Sequence, residues 1–108
     1  MIIYSTDAEA DRAFIRDVFG FRSVDAGEGW LIFALPPSEV AVHPGEESRH
    51  ELFLLCRDLE ATVAGLRGKG ADISDDVMDR DWGRMVGITL PGGGTLYLYE
   101  PHHASPLT

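Results

Sequence analysis

His50 and Glu51, two adjacent side chains that can hold a metal ion or carry a proton, stand at the start of the apolar run 52–56. The pair resembles the beginning of the zinc-protease pattern His-Glu-x-x-His, but the fifth position is Leu54, so that motif is absent. Neighbouring strand residues point to opposite faces, so only one of the two can face a binding site. We assign that role to Glu51, as a metal ligand or catalytic general base. The alternative is a satisfied polar group at the entrance of a strand.

Tyr97 and Tyr99 lie two residues apart in the run TLYLYE, which has the composition of a strand, so both rings are expected on one face of a sheet. Phenol rings in that arrangement can stack on an aromatic ligand and donate hydrogen bonds to a carbonyl group. The apolar lining of the same site is predicted to include Trp30, Phe53 and Leu55. The alternative is an aromatic stripe that only fills the core.

Arg84 and His43 are two further candidates. Arg84 enters a strand after Trp82 and Gly83, where it either meets an anionic group at the rim of the site or belongs to a solvated loop. His43 precedes Pro44 and either enters the site as a metal ligand or proton carrier, or is solvated. The histidines that follow Pro101 are expected to form a loose terminus.

The segment ITLPGGGTLYLYEP at 88–101 raises the alternative of phosphate binding. A phosphate-binding loop of the Walker type requires a lysine and a following helix, whereas these glycines precede Thr95 and strand residues. A proline and three glycines between two apolar runs are typical of a hairpin turn. A turn is therefore predicted at 91–94.

Composition narrows the class of protein. A chain of 108 residues with 44% hydrophobic residues predicts one domain spanning 1–108. A net charge of −9 disfavours nucleic acid and anionic membranes as partners. The single cysteine, Cys56, cannot form an internal disulfide and is expected to be a buried, inert thiol. With no apolar segment of ~20 residues and no signal-peptide pattern at the start, a cytoplasmic location is expected.

The predicted elements repeat in the same order along the chain. In the first module, about 1–43, they are a strand at 2–4, a helix from the capping box Thr6–Glu9 to about Phe19, and strands at 22–25, 30–35 and 39–43. A linker at 44–49 separates this module from the second, at about 50–101. In the second module they are a strand at 51–56, a helix capped by Asp58, and strands at 73–78, 85–90 and 95–100.

This order predicts an α+β fold in which two βαβββ modules pair their sheets. The result is a curved, cup-shaped mixed sheet with the helices on its convex side. The concave side is left as a cup that can hold a ligand.

Three segments carry a resemblance to a known family: AFIRDVFGF at 13–21, HELFLLCRDLEA at 50–61, and the Leu-Pro-Gly-Gly turn with the terminal Tyr-Glu-Pro in 90–101. They are similar to segments of the glyoxalase / bleomycin-resistance / extradiol-dioxygenase superfamily, also called vicinal oxygen chelate proteins. The resemblance covers essentially the whole chain. It implies the same two-module cup, with Tyr97 and Tyr99 on its concave face.

The resemblance also implies where a divalent metal (Zn, Ni, Mn or Fe) sits in the metal-dependent relatives, in which it acts as a Lewis acid. One ligand position falls on Glu51, and another falls on Tyr97, where the metal enzymes have glutamate. A third falls at or before Met1, and the first strand holds no histidine or glutamine. Glu51 with His43 is the metal pair that remains, so a standard metal site is not expected.

The implied function is the binding of a small, aromatic or carbonyl-containing ligand in the cup without the standard metal site. The alternative is a divalent-metal-dependent lyase, isomerase or dioxygenase that uses Glu51 and a nearby histidine. A structural or regulatory module without a ligand is a third hypothesis. Relatives of this size imply a homodimer, in which the modules that share a cup can come from different chains.

Overall fold

A computed structural model of the chain describes residues 2–39, 41–42, 44, 46–47 and 50–107. Helices and strands are mixed along these residues, which confirms the predicted α+β class. The elements are α1 (Ala8–Phe14), β1 (Ser23–Asp25), β2 (Leu31–Phe33), β3 (Phe53–Leu55), α2 (Leu59–Gly68), β4 (Asp72–Ile73), β5 (Met78–Arg80), β6 (Gly83–Thr89) and β7 (Thr95–Pro101).

Helix α1 begins one residue later than the predicted capping box. The side chain of Asp7 accepts a hydrogen bond of 3.1 Å from the amide of Ala10, whereas the hydroxyl of Thr6 donates to the carbonyl of Gly92. Aspartate satisfies a free amide of the first turn as well as threonine does, so Thr6 is released for a tertiary contact. The helix continues as a π-helical segment, Ile15–Phe19, and ends at Gly20, which has a φ of 72°. That end confirms the predicted one.

Helix α2 follows the predicted pattern closely. The carboxylate of Asp58 accepts a hydrogen bond of 3.0 Å from the amide of Ala61, as expected of a helix cap. Leu59 is buried in the core, and Val63 and Leu66 pack against the same core from the next turns. The apolar stripe at helical spacing therefore fixes which side of α2 meets the sheet.

The main sheet has the strand order β3-β7-β6-β4, and β5 pairs with β6 outside that path. Strands β3 and β7 are parallel, whereas the other pairs are antiparallel. Two hydrogen bonds close the β6–β7 hairpin. The amide of Leu90 donates to the carbonyl of Gly94 (2.8 Å), and the amide of Gly93 donates to the carbonyl of Leu90 (2.9 Å). The glycine run is thus the predicted hairpin turn.

The core lies between one face of this sheet and the helices. Val86, Ile88 and Leu98 point to that face and are almost fully buried with Leu59 of α2. The N-terminal helical segment packs against the same core through Phe14, Val18 and Phe19. Both helical segments therefore cover the same face of the main sheet, and its other face is left for side chains that point away from the core.

The first half of the chain differs most from the prediction. Residues 2–4 are not a strand, and neither are the described residues of the predicted strand at 39–43. Strands β1 and β2 form a two-stranded sheet that, within the described ranges, pairs with no further strand. Short segments gain stability as strands only when a partner completes their hydrogen bonds.

The predicted strand at 73–78 is also divided, into β4 and β5. The guanidinium of Arg67 donates to the carbonyls of Ile73 and Ser74 and pairs with Asp75 at 2.9 Å. The hydroxyl of Ser74 accepts from the amide of Asp76. Such local side-chain bonds compete with a β-ladder, and the chain bends between the two strands. In the described ranges no helix is both long enough and apolar enough to span a membrane.

Candidate functional site

Strand register gathers aromatic side chains on the face of the main sheet that lies opposite the core. Phe53 of β3 pairs with Tyr97 of β7, and Leu55 pairs with Tyr99. The ring of Phe53 lies 5.5 Å from the ring of Tyr97 and 5.8 Å from that of Tyr99, between centroids. Because successive strand residues alternate, Leu54 points to the core instead. The predicted sharing of one face by the two tyrosines is therefore observed.

Trp82, just before β6, completes this group of rings. Its ring centroid lies 5.6 Å from that of Tyr99 at an interplanar angle of 67°, an edge-to-face contact. The side chains of Trp82 and Leu55 are 46% and 48% exposed, and those of Phe53, Tyr97 and Tyr99 are partly exposed, so this surface is accessible to solvent. We refer to the four rings of Phe53, Trp82, Tyr97 and Tyr99 as the aromatic face.

Two glycines of β6 make room for the tyrosine rings. A side-chain carbon on Gly83 would lie 2.3 Å from Cε2 of Tyr99, and one on Gly87 would lie 3.9 Å from Cε1 of Tyr97. Each ring therefore leans over a strand position that has no side chain. Met85, between these glycines, pairs with Tyr99 and is buried beside it.

The two tyrosine hydroxyls have different surroundings. The hydroxyl of Tyr99 lies 3.0 Å from the carbonyl oxygen of Trp82, and partial burial raises its pKa, with a smaller effect from the negative charge of Glu39. The hydroxyl of Tyr97 makes no hydrogen bond with any residue that the structure describes. Tyr97 is thus the phenol of the aromatic face with free capacity to bind a polar group.

Trp82 and His103 are residues of this region that the sequence did not predict, and His103 contacts Tyr99 directly. The ring centroid of His103 lies 5.9 Å from that of Tyr99, and Nε2 of His103 lies 2.7 Å from the Tyr99 hydroxyl. The expectation of a loose terminus after Pro101 is therefore wrong for this segment. The spacing of four residues from Tyr99 gave no signal, because the contact depends on a bend of the chain at 102–103.

Arg84 lies on the other face of the sheet, which differs from the predicted position at the rim. It pairs with Glu100 in the register of β6 and β7, and its side chain contacts the carboxylates of Glu60 and Glu100. The hydrogen bond with Arg84 lowers the pKa of Glu60 and raises that of Arg84. Glu100 also accepts a hydrogen bond of 3.2 Å from the amide of Leu59, so this group stabilises the start of α2.

The remaining candidates are not joined to the aromatic face. Trp30 is exposed on the turn between β1 and β2, and the guanidinium carbon of Arg12 lies 5.3 Å from its ring centroid. None of the ring contacts among the described residues links Trp30 to the other four rings. Glu51 is exposed, two residues before β3, and His43 lies outside the described residues.

The described residues do not fit a divalent-metal site. Over those ranges, no group of three or more His, Cys, Asp or Glu side chains is placed to hold an ion. Catalytic zinc sites commonly use three protein ligands, whereas Tyr97 presents a phenol and Glu51 a single carboxylate. Cys56 adds no reactive thiolate, because partial burial, the largest effect, raises the pKa of its thiol.

Two shallow cavities lie away from the aromatic face. One, of about 240 Å³, lies between α2 and the segment joining β4 to β5 and is lined by Leu59, Val63 and Val77 among others. The other, of about 450 Å³, lies between α1 and the β1–β2 turn and is lined by Arg12, Arg16 and Asp25 among others. Neither contains a ring of the aromatic face, whose surface is open rather than enclosed in a single chain.

Several solved protein structures have a fold similar to that of this chain. No protein-family model and no curated protein matches the sequence. An antibiotic-binding protein, TnmS3, from Streptomyces sp. CB03234 is 24% identical with a TM-score of 0.64, over 93% of this chain and 90% of that one. A lactoylglutathione lyase from Agrobacterium tumefaciens is 18% identical with a TM-score of 0.66, over 91% of this chain and 88% of that one. A glyoxalase/bleomycin resistance protein from Streptomyces sp. CB03234 is 24% identical with a TM-score of 0.62, over 91% and 95%.

The chain has the glyoxalase/bleomycin resistance/dioxygenase fold. This confirms the fold implied by the sequence resemblance, over nearly the full length of both chains in each comparison. The glyoxalase/bleomycin resistance/dioxygenase fold carries both proteins that bind a molecule and proteins that transform one, as the names of these neighbours indicate. The fold alone does not decide between those two kinds of function, which depend on the residues of the individual site.

Proposed function

We propose that this protein is a member of the glyoxalase/bleomycin resistance/dioxygenase superfamily that binds a small aromatic or carbonyl-containing molecule on its aromatic face, without a standard metal site. The observation that carries the proposal is the convergence of Phe53, Tyr97, Tyr99 and Trp82 on the face opposite the core. Rings that only fill a core are buried on all sides, whereas Trp82 is 46% exposed and the other three rings are partly exposed. A ligand that covers them would remove apolar surface from water.

The chemistry of the face favours a flat ligand with an acceptor group. Aromatic rings in offset or edge-to-face contact gain about 0.5–1.5 kcal/mol beyond their burial. The Tyr97 hydroxyl, which has no hydrogen bond within the described residues, can donate to a carbonyl oxygen of a ligand stacked on Phe53. The fold neighbour that binds an antibiotic supports a binding role, because it combines this fold with recognition of a small molecule.

We also propose a homodimer, in which a second copy covers the open surfaces. The cross-strand pair Val24 and Ile32 on the β1–β2 sheet is 66% and 55% exposed. An isolated two-stranded sheet is marginally stable in water, so a partner surface against these side chains would stabilise it. Residues of the second copy placed over the partly exposed aromatic face would also turn it into an enclosed cup.

A divalent-metal-dependent lyase, isomerase or dioxygenase that uses Glu51 and a nearby histidine is the second candidate. The likeness in fold to a lactoylglutathione lyase favours it. It requires ligands beyond the described set, from His43 or from a second copy. Elemental analysis of purified protein tests it: about one equivalent of bound metal that is lost in a Glu51→Gln variant would favour this candidate over metal-free binding.

Binding of acetophenone, detected by saturation-transfer NMR, tests the first proposal. Acetophenone has one ring and one carbonyl group, and cyclohexyl methyl ketone is its non-aromatic match. We expect acetophenone to bind more tightly, and Phe53→Leu or Tyr97→Phe to weaken binding about two- to tenfold, the effect of one ring contact or one hydrogen bond. Arg84→Gln, on the opposite face, should leave affinity unchanged. Equal affinity for the two ketones, or for all variants, would contradict the proposal.

A further inference from the structure

The chain beyond β7 turns back onto the aromatic face. The amide of His102 donates to the carbonyl of Trp82 at 2.9 Å, and the ring of His103 lies against Tyr99. Further on, the hydroxyl of Ser105 donates to the carboxylate of Glu39. We refer to residues 102–107 as the C-terminal strap. The strap is attached at three points: to Trp82 and Glu39, which are distant in sequence, and to Tyr99 of β7, the strand that it follows.

The strap engages the hydroxyl of Tyr99 through a hydrogen bond with His103. The Nδ1 atom of His103 lies 2.9 Å from the carbonyl of Ala104, an acceptor, so Nδ1 carries a hydrogen. The Tyr99 hydroxyl lies 2.7 Å from His103 Nε2 and 3.0 Å from the carbonyl of Trp82. With a neutral ring, Tyr99 donates to His103. With a charged ring, it accepts from His103 and donates to Trp82. In both states the hydroxyl is engaged within the protein.

The strap thereby distinguishes the two halves of the aromatic face. At the Tyr97 half, the ring contacts Phe53 and the hydroxyl makes no bond with the described residues. At the Tyr99 half, an imidazole already occupies the position of an aromatic partner, at 5.9 Å between centroids. Because His102, His103 and Ala104 are exposed, the strap buries little surface and is held mainly by polar contacts. Each such contact contributes only a small part of the stability of a folded protein, so opening of the strap is energetically accessible.

We propose that the C-terminal strap is a displaceable cover of the Tyr99 half, and that a ligand which spans both tyrosines takes the place of the His103 ring. This inference rests on the proposed function of the aromatic face. Residues two apart on a strand lie about 6.6 Å apart, so a fused bicyclic ring reaches both tyrosines, whereas a single ring covers one. The apparent affinity of the larger ligand is then reduced by the fraction of molecules in which the strap is closed.

Titration with 2-acetonaphthone, a two-ring ketone, tests the cover. In His103→Ala the competing ring is lost, and the dissociation constant should fall about two- to tenfold, the effect of one hydrogen bond. His102→Ala is the matched control: its side chain is removed but its backbone amide, which makes the contact with Trp82, remains. Its affinity should equal that of the wild type. In the wild type, saturation with the ketone should shift the Cε1 proton resonance of His103.

The outcomes separate this inference from the proposed function. Tighter binding by His103→Ala, with His102→Ala unchanged, supports the cover. Unchanged or weaker binding by His103→Ala, while the wild type binds the ketone, overturns the cover and leaves the aromatic face intact as a ligand site. Absence of binding to both the wild type and His103→Ala overturns the aromatic face and the cover together. Circular dichroism of each variant establishes that it is folded.

Discussion

The carboxylate of Asp11 accepts a hydrogen bond of 2.7 Å from the amide of Gly92, which lies 81 residues further along the chain. Asp11 is 6% exposed, so this contact holds α1 against the turn of the β6–β7 hairpin. A side-chain carbon on Gly92 would lie 2.1 Å from Oγ of Ser5 and 2.7 Å from Oδ2 of Asp11. The glycine run therefore closes a turn and also admits a carboxylate to its backbone.

Gly92→Ala should destabilise the protein by about 1–3 kcal/mol, as crowding in a packed site does. The added methyl group displaces Asp11 from the amide it binds. Gly94→Ala is the control, because no atom lies within 4 Å of the position that its methyl group would take. Urea denaturation measures both. Equal stabilities of the two variants would contradict the docking of α1 on this turn.

Gly83→Ala should disturb the aromatic face directly. Its methyl group would lie 2.3 Å from the Tyr99 ring and 2.6 Å from the carbonyl oxygen of Glu100, and the backbone contact cannot be relieved by a rotamer change. We expect a loss of about 1–3 kcal/mol and a change in near-ultraviolet circular dichroism. Gly87→Ala, with its nearest contact at 3.3 Å from Cγ2 of Thr95, should cost less. The reverse order would show that Tyr99 does not lean over Gly83.

Tyr99 should ionise above its ordinary pKa of 10.0, because partial burial and then the charge of Glu39 disfavour its phenolate. The pKa is higher in the folded state than in the unfolded state, so the stability from this group is complete below pH 10 and is lost as pH rises through the folded value. This ionisation step is measured as the part of the phenolate absorbance, followed against pH in the wild type, that is lost in Tyr99→Phe. Glu39→Gln should move the step to lower pH. A step at or below 10.0 in the wild type would contradict the described surroundings of Tyr99.

Sedimentation should detect a dimer at micromolar concentration if a second copy covers the β1–β2 sheet. Replacing both Val24 and Ile32 by serine removes the exposed apolar pair and should shift the protein to monomer. Val77→Ser is the control, since Val77 is an exposed apolar residue of a different surface, beside α2. A wild type that sediments only as a monomer, or a dimer that both changes leave intact, would contradict the proposed interface.

The sequence predicted the second half of the fold better than the first. Period-two alternation placed Tyr97 and Tyr99 on one face, and the cap at Asp58 and the turn at 91–94 follow from local chemistry. The strands predicted at 2–4 and 39–43 depend on partners that local patterns do not specify. Pairing between distant segments decides whether such short runs become strands.

The parts of the site that depend on strand alternation could be predicted from the sequence. The parts that depend on the path of the chain between distant elements could not. Arg84 alternates with Met85 and falls in the series of Val86 and Ile88, and that signal in the sequence could have placed it on the core face. His103 reaches Tyr99 only because the strap bends after β7, which no local spacing encodes. The hydroxyl of Tyr99 is hydrogen-bonded and that of Tyr97 is not, within the described residues, because the carbonyl of Trp82 and the C-terminal strap lie beside Tyr99.

The most direct test of the central claim is a map of backbone amide shifts in nitrogen-15-labelled protein titrated with acetophenone. If the aromatic face binds the ketone, the largest shifts will centre on Phe53, Trp82, Tyr97 and Tyr99, and cyclohexyl methyl ketone will produce smaller ones. Shifts centred on Leu59 and Val77, on Arg12 and Asp25, or on no site at all would contradict a binding role for the aromatic face.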